Sequence, residues 1–166
     1  TAGVYGFSVT ATNGSRTAQA DLVYTILPSG NLTLNYPTPL TFSVGTAIAT
    51  QAPSTSPLTP GLSSSYALGS GTLAPGLTLN PDGTITGTPT TPGVYSFVVV
   101  LTNGTRVASA VPTYIVTASS ALTLGYATPL ELTQGTAMAP QNPVLTNVTP
   151  GVPTTFVLGG GSLPPG

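Results

Sequence analysis

The alternation of apolar and polar positions is clearest between residues 94 and 104. Counting by two along an extended strand puts four apolar residues on one face: Tyr95, Phe97, Val99 and Leu101. A similar segment, residues 4–14, keeps these positions apolar and has Gly, Ser and Thr between them. The face with the aromatic rings is therefore predicted to be the core face of a central strand.

Turn signals follow this strand in both copies. Asn13-Gly14 and Asn103-Gly104 form the dipeptide that accommodates positive φ at both central residues of a two-residue hairpin. A second strand is therefore predicted to run back from Arg106. Pro112 within it indicates an edge position or a bulge, because proline cannot donate a hydrogen bond to a β-ladder.

A shorter hairpin is predicted upstream. Leu77 and Leu79 alternate up to the turn sequence Asn-Pro-Asp-Gly at 80–83, and Ile85 is the apolar residue of the segment that follows. Short strands at this spacing, without helical periodicity, are typical of an antiparallel β-sandwich.

The chain also aligns with itself at an offset of 90 residues. Residues 1–76 match residues 91–166 without a gap, and 36 of the 76 pairs are identical. Small and polar residues cluster near Ser29 and Ser119, as in short linkers. The sequence thus predicts three parts: the C-terminal part of a preceding repeat (1–30), a complete repeat (31–120) and the N-terminal part of a following repeat (121–166).

Two interpretations of the incomplete end parts remain open. The chain is either an excerpt of a longer polypeptide, or a subunit whose ends complete a neighbour's sandwich by strand addition. The mass of the source protein separates them, since only the second agrees with 16.4 kDa.

One segment carries a family resemblance. The run GTLAPGLTLNPDGTITGTPTTPGVYSFVVVLTNG, residues 71–104, resembles the immunoglobulin-like repeats, related to cadherin-like and dystroglycan-type domains, of large bacterial surface proteins. The resemblance implies an all-β fold of tandem immunoglobulin-like antiparallel β-sandwich domains, about 90 residues per repeat, in an extracellular or cell-surface array that is bacterial. Cadherin-like relatives often bind calcium between domains, and this chain lacks the acidic clusters for that.

The charge count excludes several functions. Only 3% of the residues are charged and the net charge is −1, so there is no basic surface for nucleic acid or for anionic lipids. No apolar run approaches the roughly 20 residues that span a bilayer. We expect neither nucleic-acid binding nor membrane insertion of this segment.

The residue inventory also argues against chemistry. The chain has no His, Cys or Lys, so a serine would have no base to activate it. The three carboxylates, Asp21, Asp82 and Glu131, are scattered, whereas calcium takes six to eight oxygen ligands. We expect no enzyme, no metal site and no cofactor.

Three kinds of surface position remain as candidates. Four asparagines lie in glycosylation triplets, and glycans could supply the solubility that charges do not: Asn13, Asn31, Asn103 and Asn147. On the outer face of the long strand, Val98 and Val100 replace Ser8 and Thr10, which favours a self-association face unless the domain's own loops cover them. Arg16 and Arg106 stand just past the turns, either exposed or in contact with a neighbouring domain's carbonyls or a sugar.

Together these observations lead to a non-catalytic structural repeat of an extracellular adhesin or fibre. Its expected partners are neighbouring repeats or subunits, arranged head to tail or laterally, because near-zero net charge lowers repulsion between copies. The alternative is a carbohydrate- or protein-binding accessory module of a secreted enzyme. The absence of Trp argues against a sugar-binding platform.

Overall fold

The computed structural model describes residues 1–128 and 130–163, and within them the fold is all-β. These residues contain no helix, and so none long and apolar enough to cross a membrane. Their thirteen strands are β1 (Gly3–Asn13), β2 (Arg16–Ile26), β3 (Thr33–Asn35), β4 (Leu40–Ser43), β5 (Ser54–Ser56), β6 (Ser64–Gly71), β7 (Leu77–Leu79), β8 (Ile85–Gly87), β9 (Gly93–Asn103), β10 (Arg106–Ala110), β11 (Thr113–Thr117), β12 (Thr123–Gly125) and β13 (Val144–Thr146).

The two predicted long strands recur 90 residues apart. β1 pairs with β2 over its whole length, and β9 pairs with β10 and β11 in the equivalent register. The returning strand of the second copy is interrupted at Val111 and Pro112. Before the interruption, β10 pairs only with β9 among the described strands, whereas β11 also pairs with β4. The prediction that Pro112 marks an edge or irregularity is confirmed, because the edge segment of this strand ends there.

The hairpin turns lie one residue later than predicted. Asn13 pairs with Arg16 and Asn103 with Arg106, so the central turn residues are Gly14-Ser15 and Gly104-Thr105. Only the glycines have positive φ, 63° and 64°. One positive φ, at the first central residue, is the signature of a type II′ turn rather than the type I′ turn that Asn-Gly predicts.

The strands of residues 31–120 form two layers. One layer is a five-stranded sheet in the order β10-β9-β11-β4, with β6 also paired to β9. The other contains the antiparallel pair β3-β5 and the hairpin β7-β8, and Ile85 of β8 also bridges to Gln51, which precedes β5 in the chain. The short hairpin predicted at 77–85 is thus confirmed. β4 runs parallel to β11, so the sandwich is antiparallel except at this one pair.

Among the residues that the structure describes, the hydrophobic core lies entirely within the complete repeat. Phe97, Val99 and Leu101 are at most 1% exposed, which confirms the predicted core face, and Tyr95 is partly buried beside them. The rings of Phe97 and Tyr114 meet edge to face at 5.2 Å between centroids. Full burial of each such side chain contributes roughly 1.5–3 kcal/mol. All buried hydrophobic residues fall between 32 and 116: Leu32, Leu34, Tyr36, Ala74, Leu77, Ile85, Phe97, Val99, Leu101, Tyr114 and Val116.

The preceding part has the same local structure with an open face. Tyr5 donates to the carbonyl of Thr1 at 2.9 Å as Tyr95 donates to that of Thr91 at 3.1 Å. Yet Tyr5 is 42% exposed and Phe7 46% exposed. The two long strands therefore share a conformation, and in the first copy no described layer covers the core face. The following part likewise exposes its apolar side chains, among them Leu122, Leu124, Tyr126 and Phe156.

Removal of the hydroxyl should change the free energy of unfolding in opposite directions at two buried tyrosines of the core. The hydroxyl of Tyr114 is buried without a hydrogen-bond partner among the described residues, and burial raises its pKa to about 12. Tyr36 donates to the carbonyl of Gly83 at 2.5 Å. We expect Tyr114→Phe to raise the free energy of unfolding by about 1 kcal/mol and Tyr36→Phe to lower it by about 1 kcal/mol. Urea unfolding measures both, and a loss at Tyr114 like that at Tyr36 would contradict this assignment.

Candidate functional site

One cluster of hydrogen bonds in residues 31–120 is centred on Asn103, at the end of β9. Asn103 is fully buried there, with its Oδ1 accepting from the backbone N–H of Thr59 at 2.8 Å. Its Nδ2 donates to the carbonyl of Leu62 at 3.2 Å and to Oγ of Ser64 at 3.3 Å. Asn103 therefore ties the turn at 59–62 to the end of β9.

This role of Asn103 was not predicted, although the sequence contains a signal for it. Asn103 continues the count by two that places Phe97, Val99 and Leu101 in the core. An asparagine at an inward position must have its amide satisfied by nearby backbone, since burying an unpaired polar group is costly. The Asn-Gly pair is also typical of a hairpin turn, and only this turn was predicted.

Arg106 binds one carbonyl group within its own repeat and one in the linker that precedes the repeat. Its Nη1 donates to the carbonyl of Pro57 at 2.7 Å and its Nη2 to that of Gly30 at 2.5 Å. Of the two open interpretations, the contact with backbone carbonyls is the one found, and it joins the repeat to the linker before it. Arg16, the equivalent residue of the first copy, is exposed. A shallow hollow beside this contact is lined by Gly30, Asn31, Leu32, Arg106 and Val107.

The four glycosylation candidates lie in different environments. Asn13, Asn31 and Asn147 are exposed, and glycosylation at these three stays a prediction. Asn103 is 0% exposed with its amide fully engaged. A glycan at Asn103 would require the turn at 59–62 to be displaced, so the folded repeat offers no acceptor at this position.

The proposed self-association residues are half-buried. Val98 and Val100 face Gly69 of β6, where the register between β6 and β9 shifts. A Cβ added to Gly69 would lie 2.8 Å from Cγ2 of Val100 and 3.4 Å from Cγ1 of Val98. The domain's own backbone thus covers part of this strip, and its role in association stays a prediction.

The carboxylates have structural roles or are exposed. Asp82 accepts from the N–H of Thr84 at 2.9 Å and from its hydroxyl at 2.7 Å, and the hydroxyl contact lowers the pKa of Asp82. Asp21 accepts from Ser8, which lowers its pKa, and Glu131 is exposed. Over residues 1–128 and 130–163, no group of three metal-ligating side chains comes together. The hydrogen bonds of Asn103 and Arg106 go mainly to backbone groups and hold loops and linker in place.

These features define an immunoglobulin-like β-sandwich module. The chain belongs to the family described as Putative Ig domain, whose model matches residues 31–119. This match confirms the resemblance seen in residues 71–104.

Other comparisons are less specific. No curated protein matches the chain. Among solved structures, a point variant of the endo-fucoidan hydrolase MfFcnA4, from glycoside hydrolase family 107, matches with a TM-score of 0.41 and 16% identity over 78% of this chain and 22% of that chain. MfFcnA4 itself matches with a TM-score of 0.38 and 18% identity, over 72% of this chain and 19% of that chain. The endo-fucoidan hydrolase MfFcnA9 matches with a TM-score of 0.30 and 18% identity, over 70% and 22%. The chain spans about a fifth of the length of these structures.

Proposed function

We propose that this chain is a spacer segment of a secreted or surface-attached modular protein, in which immunoglobulin-like units hold other domains apart without taking part in chemistry. The carrying observation is that the aromatic and cationic groups of the complete repeat are committed to its own fold and linker. Each of its aromatic rings is wholly or partly buried: Tyr36, Phe42, Tyr66, Tyr95, Phe97 and Tyr114. Its one cation, Arg106, binds the carbonyls of Gly30 and Pro57.

This commitment weighs against a binding role. Sugar rings stack on exposed aromatic faces, and sulfated polysaccharides need clustered cations. In the described part of the complete repeat, neither an exposed ring nor a second cation is present. An accessory module that binds carbohydrate for a secreted enzyme is therefore the weaker candidate.

The proposal covers the spacer role and the location outside the cytoplasm, and family membership supports both. It does not extend to a fibre or adhesin that assembles laterally. The strip at Val98 and Val100, which suggested lateral assembly, is half-buried, with Gly69 lying against both side chains.

A binding screen tests the spacer proposal. We expect residues 31–120 to support no saturable binding of the chain tighter than about 1 mM to neutral glycans, sulfated fucans or extracellular matrix proteins, because the aromatic rings and the cation of this repeat are committed to its own fold and linker. A glycan array followed by isothermal titration measures this. Saturable binding that disappears with a substitution in residues 31–120 would overturn the spacer role in favour of an accessory module.

A further inference from the structure

The turn at residues 59–62 touches the preceding repeat. Leu62 donates its N–H to the carbonyl of Thr59 at 3.3 Å, and Gly61 between them has φ +83°. A Cβ built on Gly61 would lie 3.4 Å from both Cβ and Cγ2 of Val4 and 3.8 Å from its backbone nitrogen. Val4 belongs to β1, so this contact joins the complete repeat to the part before it.

The same contact occurs 90 residues later, between the complete repeat and the part after it. Val152 donates to the carbonyl of Thr149 at 3.3 Å, and Gly151 has φ +79°. A Cβ on Gly151 would lie 3.3 Å from Cγ2 and 3.4 Å from Cβ of Val94, and 3.9 Å from its nitrogen. Val94 is the equivalent of Val4, and Gly151 that of Gly61.

The two junctions thus use the same atoms at distances that agree to 0.1 Å. Equal contacts at successive junctions are what results when each repeat is placed on the next in the same way. A flexible linker alone would not produce this equality, since it leaves the relative orientation of two domains free.

Glycine suits this position for two reasons. A positive φ near +80° is strained for residues with a side chain. In addition, the absence of a Cβ lets the turn approach the valine of the neighbouring repeat. At the first junction the linker is also fixed, because Arg106 binds the carbonyl of Gly30 while Asn103 holds the turn at 59–62.

We infer that the turn at 59–62, and its equivalent at 149–152, is a docking surface for the first residues of the long strand in the preceding repeat. The partner is the neighbouring repeat of the same chain, met head to tail. The result is an array with a fixed angle between units rather than a string of freely rotating domains. This inference deepens the proposed spacer function and rests on it.

Disulfide cross-linking tests the docking surface. The chain has no cysteine, so introduced pairs are free of competing thiols. Val4→Cys with Gly61→Cys, and Val94→Cys with Gly151→Cys, would each place the two Cβ atoms 3.4 Å apart, close to the 3.5–4.5 Å of disulfides. We expect both pairs to close within one chain under mild oxidation, at least about tenfold faster than pairs that are not held in contact.

Swapped pairs serve as matched controls. Val4→Cys with Gly151→Cys, and Val94→Cys with Gly61→Cys, use the same four substitutions in combinations that are not in contact. Native pairs that close no faster than swapped pairs at either junction would overturn the inference. Closure at one junction only would overturn the claim that the interface repeats.

A second experiment leaves both glycines in place, in case their substitution disturbs the turn. A benzophenone side chain at position 94 should cross-link to residues 149–152 on irradiation, as mapped by mass spectrometry, and one at Val111 should not. Adducts scattered along the chain would overturn the inference.

The two proposals fail separately. If cross-linking fails and the binding screen finds no ligand, the proposal of a fixed angle between repeats is refuted and the spacer role is retained. If both native pairs close and the chain binds a ligand saturably, the interface stands and the spacer role falls.

Discussion

Replacing Phe97 by alanine is expected to lower the free energy of unfolding by about 3–5 kcal/mol. The ring is 1% exposed and packs edge to face on Tyr114 at 5.2 Å, at the centre of the only buried cluster in the described residues. Truncation removes apolar contacts and leaves a cavity between two layers that β-sheet hydrogen bonds hold in place. Urea unfolding followed by circular dichroism measures the loss.

The repeat supplies a matched control in Phe7. It occupies the equivalent position of β1, is 46% exposed, and contacts mainly Tyr24 at 5.4 Å between ring centroids. Phe7→Ala should therefore cost less than about 1.5 kcal/mol. Similar losses at the two positions would show that the first hairpin is packed as tightly as the complete repeat, against the exposure found here.

The second large effect is expected for Asn103→Ala, with a loss of about 2–4 kcal/mol in the free energy of unfolding. The substitution leaves the N–H of Thr59 without its acceptor at 2.8 Å and the carbonyl of Leu62 without its donor at 3.2 Å. Thr59 is 1% exposed, so water cannot readily replace the lost partner. Each buried backbone group left unpaired costs about 1–3 kcal/mol.

Asn13→Ala separates the effect of the buried clamp from that of the hairpin turn. Asn13 precedes the same type II′ turn at Gly14, but its side chain is exposed. Any contribution of asparagine to the turn is shared by the two substitutions, whereas the clamp on residues 59–62 exists only at Asn103. We expect a change below about 0.5 kcal/mol for Asn13→Ala. Equal effects would mean that Asn103 acts through the turn.

The sequence by itself determined the repeat, the long hairpin of each copy, the short hairpin at 77–85 and the core face, because these depend on regularities along the chain. A side-chain period of two assigns Phe97, Val99 and Leu101 to one face whatever the strand pairs with. A register kept over 76 positions identifies the repeat from the sequence alone, without any structural information. The family match over residues 31–119 agrees with the immunoglobulin-like resemblance seen in residues 71–104.

Only the tertiary structure decided which distant groups meet. β4 pairs parallel with β11, 74 residues away, and the Nη2 of Arg106 binds the carbonyl of Gly30 across 76 residues. The cover of Val98 and Val100 by Gly69 depends on a register shift between β6 and β9. Such pairings follow from how two layers stack and where loops cross between them. The alternation along one strand does not specify which strand or loop lies next to it. The hydrogen bonds of Asn103 and Arg106 and the contacts between repeats therefore could not be predicted from the sequence.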